Sequence, residues 1–244
     1  MIDDTLDDNE LATRSMFGFG EMLAALGRGH AGAHTQIRWP NALGARIDIA
    51  SGDPWFDAVV VPFGRSPPAD DPQLPTCIWT LAETVPGRLE NSGIAMPCMG
   101  IALDDSAVKL NGGAKNVKVA SLDVLGDLNE RAYGDFGTFG PLARALLDER
   151  IRVHGLHEDG TFVCVALTLS VGDDLAIHYV ATEQSHRRRG LASALLLAIM
   201  ATARDRGVRS ATLQASADGL SVYKRIGFRH VATLRAYLRP HIEA

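Results

Sequence analysis

The segment that most constrains what this chain can fold into is Leu191 to Ala203, thirteen nearly uninterrupted apolar residues that stop at Arg204-Asp205-Arg206. As a helix it measures about 20 Å, short of the roughly 30 Å hydrocarbon core of a bilayer. It reads as a buried helix of a soluble protein. Directly before it stands His186-Arg187-Arg188-Arg189-Gly190, and before that a strand-like run, Leu175 to Thr182. Three adjacent arginines can be a nucleic-acid patch, a solvated surface run or the rim of an anion site. The surrounding sequence has to decide among these.

The chain has 244 residues, which allows one large domain or two of about 120 each. The net charge of −5 argues against a nucleic-acid binder, since such proteins carry a basic excess, and no aromatic residues interleave the arginines. The charge is uneven. Residues 1–116 hold 8 Lys/Arg against 15 Asp/Glu, and residues 117–244 hold 16 against 14. The second half can therefore host a local anion site. Cys77, Cys98 and Cys164 form no CxxC pair and no even framework, so they read as reduced thiols with no structural metal. The acidic start MIDDTLDDNE is the opposite of a signal peptide. A cytoplasmic protein without a membrane partner is expected.

In the first half, residues 10–27 have helical periodicity, and Gly18-Phe19-Gly20 within them predicts a turn or kink. It lacks the third glycine of a dinucleotide fingerprint. Arg46–Ile49, Ala58–Val61, Cys77–Thr80 and Met99–Leu103 read as strands, residues 64–76 as a proline-rich loop, and Ala82–Ser92 as a short helix at best. Trp39, Trp55 and Trp79 read as core residues of this half. The glycine-rich connector Lys109–Asn116 sets a domain boundary, giving 1–116 and 117–244. The second half reads as strand Val117–Ala120, a helix capped by Ser121 and running to Tyr133, and a helix from Gly137 to Leu147. Strands Arg152–His157, Thr161–Val171 and Leu175–Thr182 follow, then helix Leu191–Arg206 ended by Gly207. Strand Ser210–Ala215, helix Gly219–Ile226 and strand Phe228–Ala236 complete it. That order implies an α/β fold with a mixed sheet and one long helix packed on it.

The turn Arg187-x-x-Gly190-x-Ala192 lies at a helix start. The first turn of a helix leaves N–H groups unpaired and carries partial positive charge, so an anion is favoured there. Gly190 permits positive φ and leaves room for close approach, Ala192 keeps the contact small, Ser193 adds a hydroxyl, and Arg187, Arg188 and Arg189 add charge. The pattern predicts a phosphate or diphosphate clamp. It is not a Walker loop, because no Gly-x4-Gly-Lys-Ser/Thr occurs.

Three features together resemble the GCN5-related N-acetyltransferases, the GNAT superfamily. These are Val180-Ala181-Thr182, the Arg187-x-x-Gly190-x-Ala192 turn five residues on, and Ser216-x6-Tyr223-x3-Gly227-Phe228. The resemblance covers roughly 117–240. Pro54-Trp55-Phe56-Asp57-Ala58-Val59 and Met96-Pro97-Cys98-Met99-Gly100-Ile101 also resemble a degenerate half of bacterial two-domain members. The resemblance implies a GNAT acyl-CoA N-acyltransferase fold in 117–244 beside a degenerate GNAT-like 1–116. It implies an acetyltransferase that moves the acetyl group of acetyl-CoA to an amine of a small molecule or protein, with no metal.

Carried over by position, backbone amides around Arg188, Gly190, Leu191, Ala192 and Ser193 would hold the coenzyme A diphosphate, with Arg187 and Arg189 beside them. Val180, Ala181 and Thr182 would pair with the pantetheine on a strand splayed from its neighbour, and Tyr223 would protonate the departing thiolate. The family often has Asn where Ser216 stands, which leaves a weaker or rearranged cofactor contact. Some members place a Glu base where Ala176 stands. Period-2 alternation puts Ala176, His178 and Val180 on one face, making His178 the candidate base, at its ordinary pKa, with Glu183 as competitor. The acceptor would lie between the halves, and Asp127, Glu130 and Asp135 would suit a cationic amine. Ala176 keeps an alternative alive, a non-catalytic acyl-CoA-binding or regulatory module. A homodimer is left open.

Overall fold

The computed structural model describes residues 6–28, 34–47, 54–61, 74–85, 89–103, 110, 113–134 and 136–239. Helix α1 (Asp8–Arg28) is followed by strands β1 (His34–Trp39), β2 (Ala42–Ile47), β3 (Ala58–Val61), β4 (Cys77–Thr80) and β5 (Glu90–Ala102). Then come β6 (Val117–Val119), α2 (Leu122–Tyr133), α3 (Phe139–Arg144), β7 (Ile151–Glu158), β8 (Thr161–Val171) and β9 (Asp174–Thr182). The chain closes with α4 (Leu191–Arg204), β10 (Ser210–Gln214), α5 (Leu220–Arg225) and β11 (Arg229–Leu238). The strands form one mixed sheet in the order β1-β2-β3-β4-β11-β5-β10-β9-β8-β7-β6. Two neighbouring pairs are parallel, β3 with β4 and β9 with β10.

Helices cover both faces. On one, Met22 and Leu26 of α1 join Leu125 and Leu128 of α2 over Leu167 and Ala176. On the other, Leu195, Leu196 and Met200 of α4 lie over Ile177, Leu213 and Met99. The apolar run Leu191–Ala203 is thus the helix of the second layer. The sequence reading foresaw one long helix on the sheet, whereas α1 is a second one on the opposite face. Helix α2 begins where its cap predicts, with Ser121 Oγ accepting from the Val124 N–H at 3.2 Å. It ends at Gly134, whose φ of 76° closes the last turn.

The expected kink at Gly18-Phe19-Gly20 does not occur, and α1 runs straight through. The glycines are there for contact. A Cβ on Gly18 would stand 2.6 Å from the Ala176 Cβ of β9, and one on Gly20 would stand 2.9 Å from Leu43 of β2. Their absence lets the helix lie close on the sheet. Polar ties fix it lengthwise. Arg14 reaches Asp173 at 2.7 Å and the Ser210 hydroxyl at 3.0 Å. Glu21 accepts two bonds from Arg38 at 2.6 and 2.8 Å and one from Arg150 at 2.9 Å. Those bonds hold the Glu21 carboxyl below the usual carboxylate range, with Arg38 the larger cause.

Other expectations shift. No helix forms over 82–85 or 89–92, and β5 begins at Glu90, eleven residues before the middle of the expected strand at 99–103. Strand β1 was not foreseen. Helix α3 is shorter than Gly137–Leu147. Of the three tryptophans, Trp79 is buried, while Trp39 and Trp55 are only partly so. Most of the proline-rich loop lies outside the described residues, as do residues 109, 111 and 112 of the connector. Strand β5 comes before the connector yet sits between β10 and β11, which follow it. No described helix is long and apolar enough to cross a membrane.

Replacing Gly18 with Ala overpacks the α1–β9 contact and is expected to lower stability by about 1–3 kcal/mol. Phe17→Ala, at a side chain 44 % exposed, should change it by less than about 0.5 kcal/mol. Urea unfolding midpoints of the two variants check this.

Candidate active site

Strands β9 and β10 pair in parallel from Asp174–Ser210 to Ile177–Leu213, and there the pairing stops. Beyond that rung β9 stays with β8 as far as Thr182, while β10 stays with β5 through Gln214–Cys98. The two strands part like a V, as the sequence reading expected of the strand bearing Val180 and Thr182. Strand β9 also carries a bulge, with register slipping so that Ala166 of β8 faces an extra residue. Tyr179 there has φ of 52°, rare for a residue with a side chain. The bulge breaks the alternation. Ala176 and His178 face the α1 layer, but Val180 packs with Ile177 on the α4 side. The expectation of one face for Ala176, His178 and Val180 fails, because a two-residue period does not survive a bulge.

Two cavities flank the V. The first, about 590 Å³, is lined by Val180 and Thr182 of β9, by His186 to Arg188 and Gly190 to Ser193, and by residues between Ser216 and Arg225 around α5. Gly190 has φ of 77°, and nothing lies within 4 Å of where its Cβ would be. The first α4 hydrogen bond runs from the Ala194 N–H to the Gly190 carbonyl at 3.0 Å. The amides of Leu191, Ala192 and Ser193 therefore face the cavity end without an acceptor among the described residues, which is a ready anion cradle.

The arginines divide. Arg187 turns inward and donates to the carbonyls of Ala132 and Thr182, tying α2 to β9. Arg189 pairs with Glu158 at 3.0 Å and lines neither cavity. Arg188 lines the first cavity, and among the described residues it makes no ion pair. Ala181 is buried in the core and lines neither. Thr182 turns its hydroxyl to the Cys164 sulfur at 3.3 Å, and burial raises that thiol to about 11. Ser216 Oγ accepts from the Gly219 N–H at 3.2 Å and so shapes the turn before α5. A Cβ on Gly219 would stand 2.8 Å from the Tyr223 ring, so the glycine makes room for that ring.

The second cavity, about 540 Å³, lies on the other side of the V. Phe19 and Phe56 from the first half, Phe139 of α3 and Tyr179 of the bulge supply apolar walls. His178 lines it, 8 % exposed, and its Nε2 has no hydrogen-bond partner. Burial pulls the His178 pKa down to about 4, against a smaller opposing effect of a backbone hydrogen bond with Gly18. Sequence reasoning had assumed the ordinary value. Desolvation overturns that, and His178 is neutral near pH 7. Glu130 also lines this cavity, and its Oε1 accepts from the N–H groups of Gly137 and Gly140 at 2.9 and 2.8 Å. Asp127 instead pairs weakly with Arg144 at the surface, and Asp135 lies outside the described residues. Glu183 pairs with Arg131 at 3.2 Å and lines neither cavity. Ala176 is buried under Gly18.

Tyr133, Val180, Ser216 and Tyr223 belong to the walls of both cavities and mark their junction. Tyr133 was missed as a site residue. Its hydroxyl donates to the Val180 carbonyl at 2.9 Å. Its signal was weak, one tyrosine at the end of a helix. Tyr223 is half-buried there, and burial is the main reason its phenol lies above the ordinary value, with Tyr133 contributing less. Among the described residues no cluster of His, Cys, Asp and Glu could hold a metal ion.

A V-shaped parting of parallel strands is thus joined to an anion cradle at a helix start. Residues 125–228 match the acetyltransferase (GNAT) family model. The whole fold is similar to a GCN5-related N-acetyltransferase from Kribbella flavida, at 17 % identity and a TM-score of 0.59, covering 94 % of this chain and 95 % of that one. It is also similar to a protein from Novosphingobium aromaticivorans assigned to the GNAT family, at 17 % identity and a TM-score of 0.56, covering 92 % and 93 %. A conserved protein of unknown function from Staphylococcus epidermidis matches at 10 % identity and a TM-score of 0.57, covering 85 % and 94 %. At such identities the likeness is one of fold. No curated protein matches the chain.

The imidazole of His178 should keep its neutral chemical shifts down to about pH 5 and titrate near 4. Histidine-selective NMR between pH 7 and 4 reads this directly. A midpoint near 6.5, the ordinary value, would contradict the buried geometry.

Proposed function

We propose that the protein is an N-acetyltransferase that moves the acetyl group of acetyl-CoA to an amine by direct attack. The observation that carries this is the junction of two cavities at Tyr133, Val180, Ser216 and Tyr223, with free helix amides at the far end of only one. A long anionic donor and a separate acceptor need such an arrangement.

In this reading the amides of Leu191, Ala192 and Ser193 bind the diphosphate, with Gly190 giving it room and Arg188 adding charge. The pantetheine runs along the unpaired edge of β9 at Val180 to Thr182, where strand groups lacking a neighbour pair with its amides. The Val180 N–H polarises the thioester carbonyl. The amine enters from the second cavity, its nitrogen bonds to the carbonyl carbon, and the carbon–sulfur bond breaks. In net balance one proton moves from nitrogen to sulfur. The half-buried Tyr223 phenol gives its proton to the sulfur as the carbon–sulfur bond breaks, and the proton given up by the amine restores the phenol. His178, neutral and with Nε2 free, stands on the acceptor side to take the amine proton. Residues 117–244 are the transferase unit and residues 1–116 an accessory part supplying acceptor-side walls. The setting is cytoplasmic. A second reading, a CoA-binding module without turnover, draws on Ala176, because α1 closes over the position where a Glu base would stand.

Thiol release from acetyl-CoA, with mass confirmation of the acetylated amine, separates the two readings. Tyr223→Phe is expected to lower kcat on the order of 10²-fold while the Kd for CoA stays unchanged. CoA binding with no turnover of any amine would leave only the module. Gly190→Glu should weaken CoA binding on the order of 100-fold or more, since it puts a carboxylate at the anion cradle and a side chain at positive φ. Calorimetry with CoA reads it, and unchanged affinity would refute the cradle.

A further inference from the structure

The second cavity has a chemistry specific enough to name what it takes. We propose that its ligand is a small primary amine carried on a flat apolar body, an arylalkylamine. The proposal rests on the transferase reading and narrows its acceptor.

The body of such a ligand is addressed by rings. Phe56, Phe139 and Tyr179 form a continuous stack, with Phe56 to Phe139 at 6.2 Å and 23° between planes and Phe139 to Tyr179 at 4.1 Å. The three come from the first half, from α3 and from the β9 bulge, so the stack is assembled by tertiary structure. Flat aromatic ligands gain offset or edge contacts with such walls beyond simple area burial. A polyhydroxylated amine would lose its water against these rings without recovering hydrogen bonds from them.

The amine is addressed by acceptors. The polar side-chain functions at this wall lean one way. The Glu130 carboxylate is held in place by two backbone N–H groups at its Oε1. Gln214 is oriented by its Nε2, which donates to the Ser15 carbonyl at 2.9 Å and its hydroxyl at 2.8 Å, leaving Oε1 buried without a donor. His178, kept neutral, adds the lone pair of Nε2. The Asn129 amide group already donates to the carbonyls of Leu125 and Tyr179. No lysine or arginine lines the cavity among the described residues. Besides the hydroxyls of Tyr179, Ser216 and Tyr223, which can donate or accept, these side chains offer acceptors. The arrangement is complementary to N–H groups, and a carboxylate beside aromatic faces suits an ammonium. The cavity reaches Tyr223 and Val180 at one end, so an amine on a short tether can present its nitrogen at the junction.

The test uses the full chain with acetyl-CoA and five acceptors: 2-phenylethylamine, tryptamine, spermidine, kanamycin and a peptide with a free N-terminus. The arylalkylamines should exceed the other three in kcat/KM by about tenfold or more. Phe56→Ala should raise the KM for 2-phenylethylamine on the order of tenfold and leave the KM for acetyl-CoA unmoved, and Glu130→Gln should weaken the same amine. Circular dichroism checks that each variant is folded. If Glu130→Gln is not, Met96→Ala, at another lining residue, replaces it and should likewise raise the KM for 2-phenylethylamine. Calorimetry of 2-phenylethylamine with CoA-saturated protein keeps the two readings apart. Amine binding that Phe56→Ala abolishes, with no acetyl transfer to any acceptor, would defeat the transferase and keep the amine site. Preference for spermidine, kanamycin or the peptide overturns the proposal. So does the absence of 2-phenylethylamine binding, or indifference to Phe56→Ala.

Discussion

The parting of β9 from β10 after the Ile177–Leu213 rung is the constraint on which the rest of the site depends. Strand backbone groups that lose their neighbour must find other partners, and the chain answers with the bulge at Tyr179 and the hydroxyl of Tyr133 on the Val180 carbonyl. The bulge sends His178 and Tyr179 toward the second cavity and leaves Val180 at the junction of the two. One local irregularity thus creates both compartments and the partition between them. Helix α4 starts just past the open end of the V, so its unpaired amides look into the first compartment.

That opening stays in place because the strands around it are clamped. Helix α1 lies on β9 and β2 at distances only glycine permits, and Arg14 joins it to Asp173 and Ser210 where β9 and β10 are still paired. Asp174 nearby is buried between the hydroxyls of Ser210 and Thr212, at 2.6 and 2.7 Å, and burial raises its pKa to about 6. A bonded end and an open end of the same strand pair make a rigid wedge. The first half reaches this region through Phe19 and Phe56, which line the second cavity.

Much of this was legible in the sequence because it is local chemistry. Ser121 before an amphipathic run, Gly207 after one, and Gly190 at a helix start each determine backbone geometry within a few residues. The anion cradle followed from Gly190 and Ala192. What stayed hidden was tertiary. Gly18 and Gly20 look like breakers until the sheet beneath them is known. The bulge leaves no mark in the residue types of β9, so alternation carried His178 and Val180 to the same face. The pKa of His178 is set by the protein packed around it, and Arg187 and Arg189 looked like anion ligands although neighbouring carbonyls and Glu158 engage them. The aromatic stack draws on residues 56, 139 and 179, and nothing in the spacing of those positions links them.

The place of β5 in the sheet has a consequence for how the chain is made. Its hydrogen-bonding neighbours, β10 and β11, are more than a hundred residues further along. During synthesis from the N-terminus, a thirteen-residue strand waits with both edges bare until the last segments emerge. Long-range pairings of this kind slow folding, and bare edges invite pairing with other chains. Pro97 within β5 and the polar Glu90-Asn91-Ser92-Gly93 at its start are features that discourage such contacts. The first half is therefore a nascent surface that the second half closes, and a ribosome stalled before Ser210 would display it open.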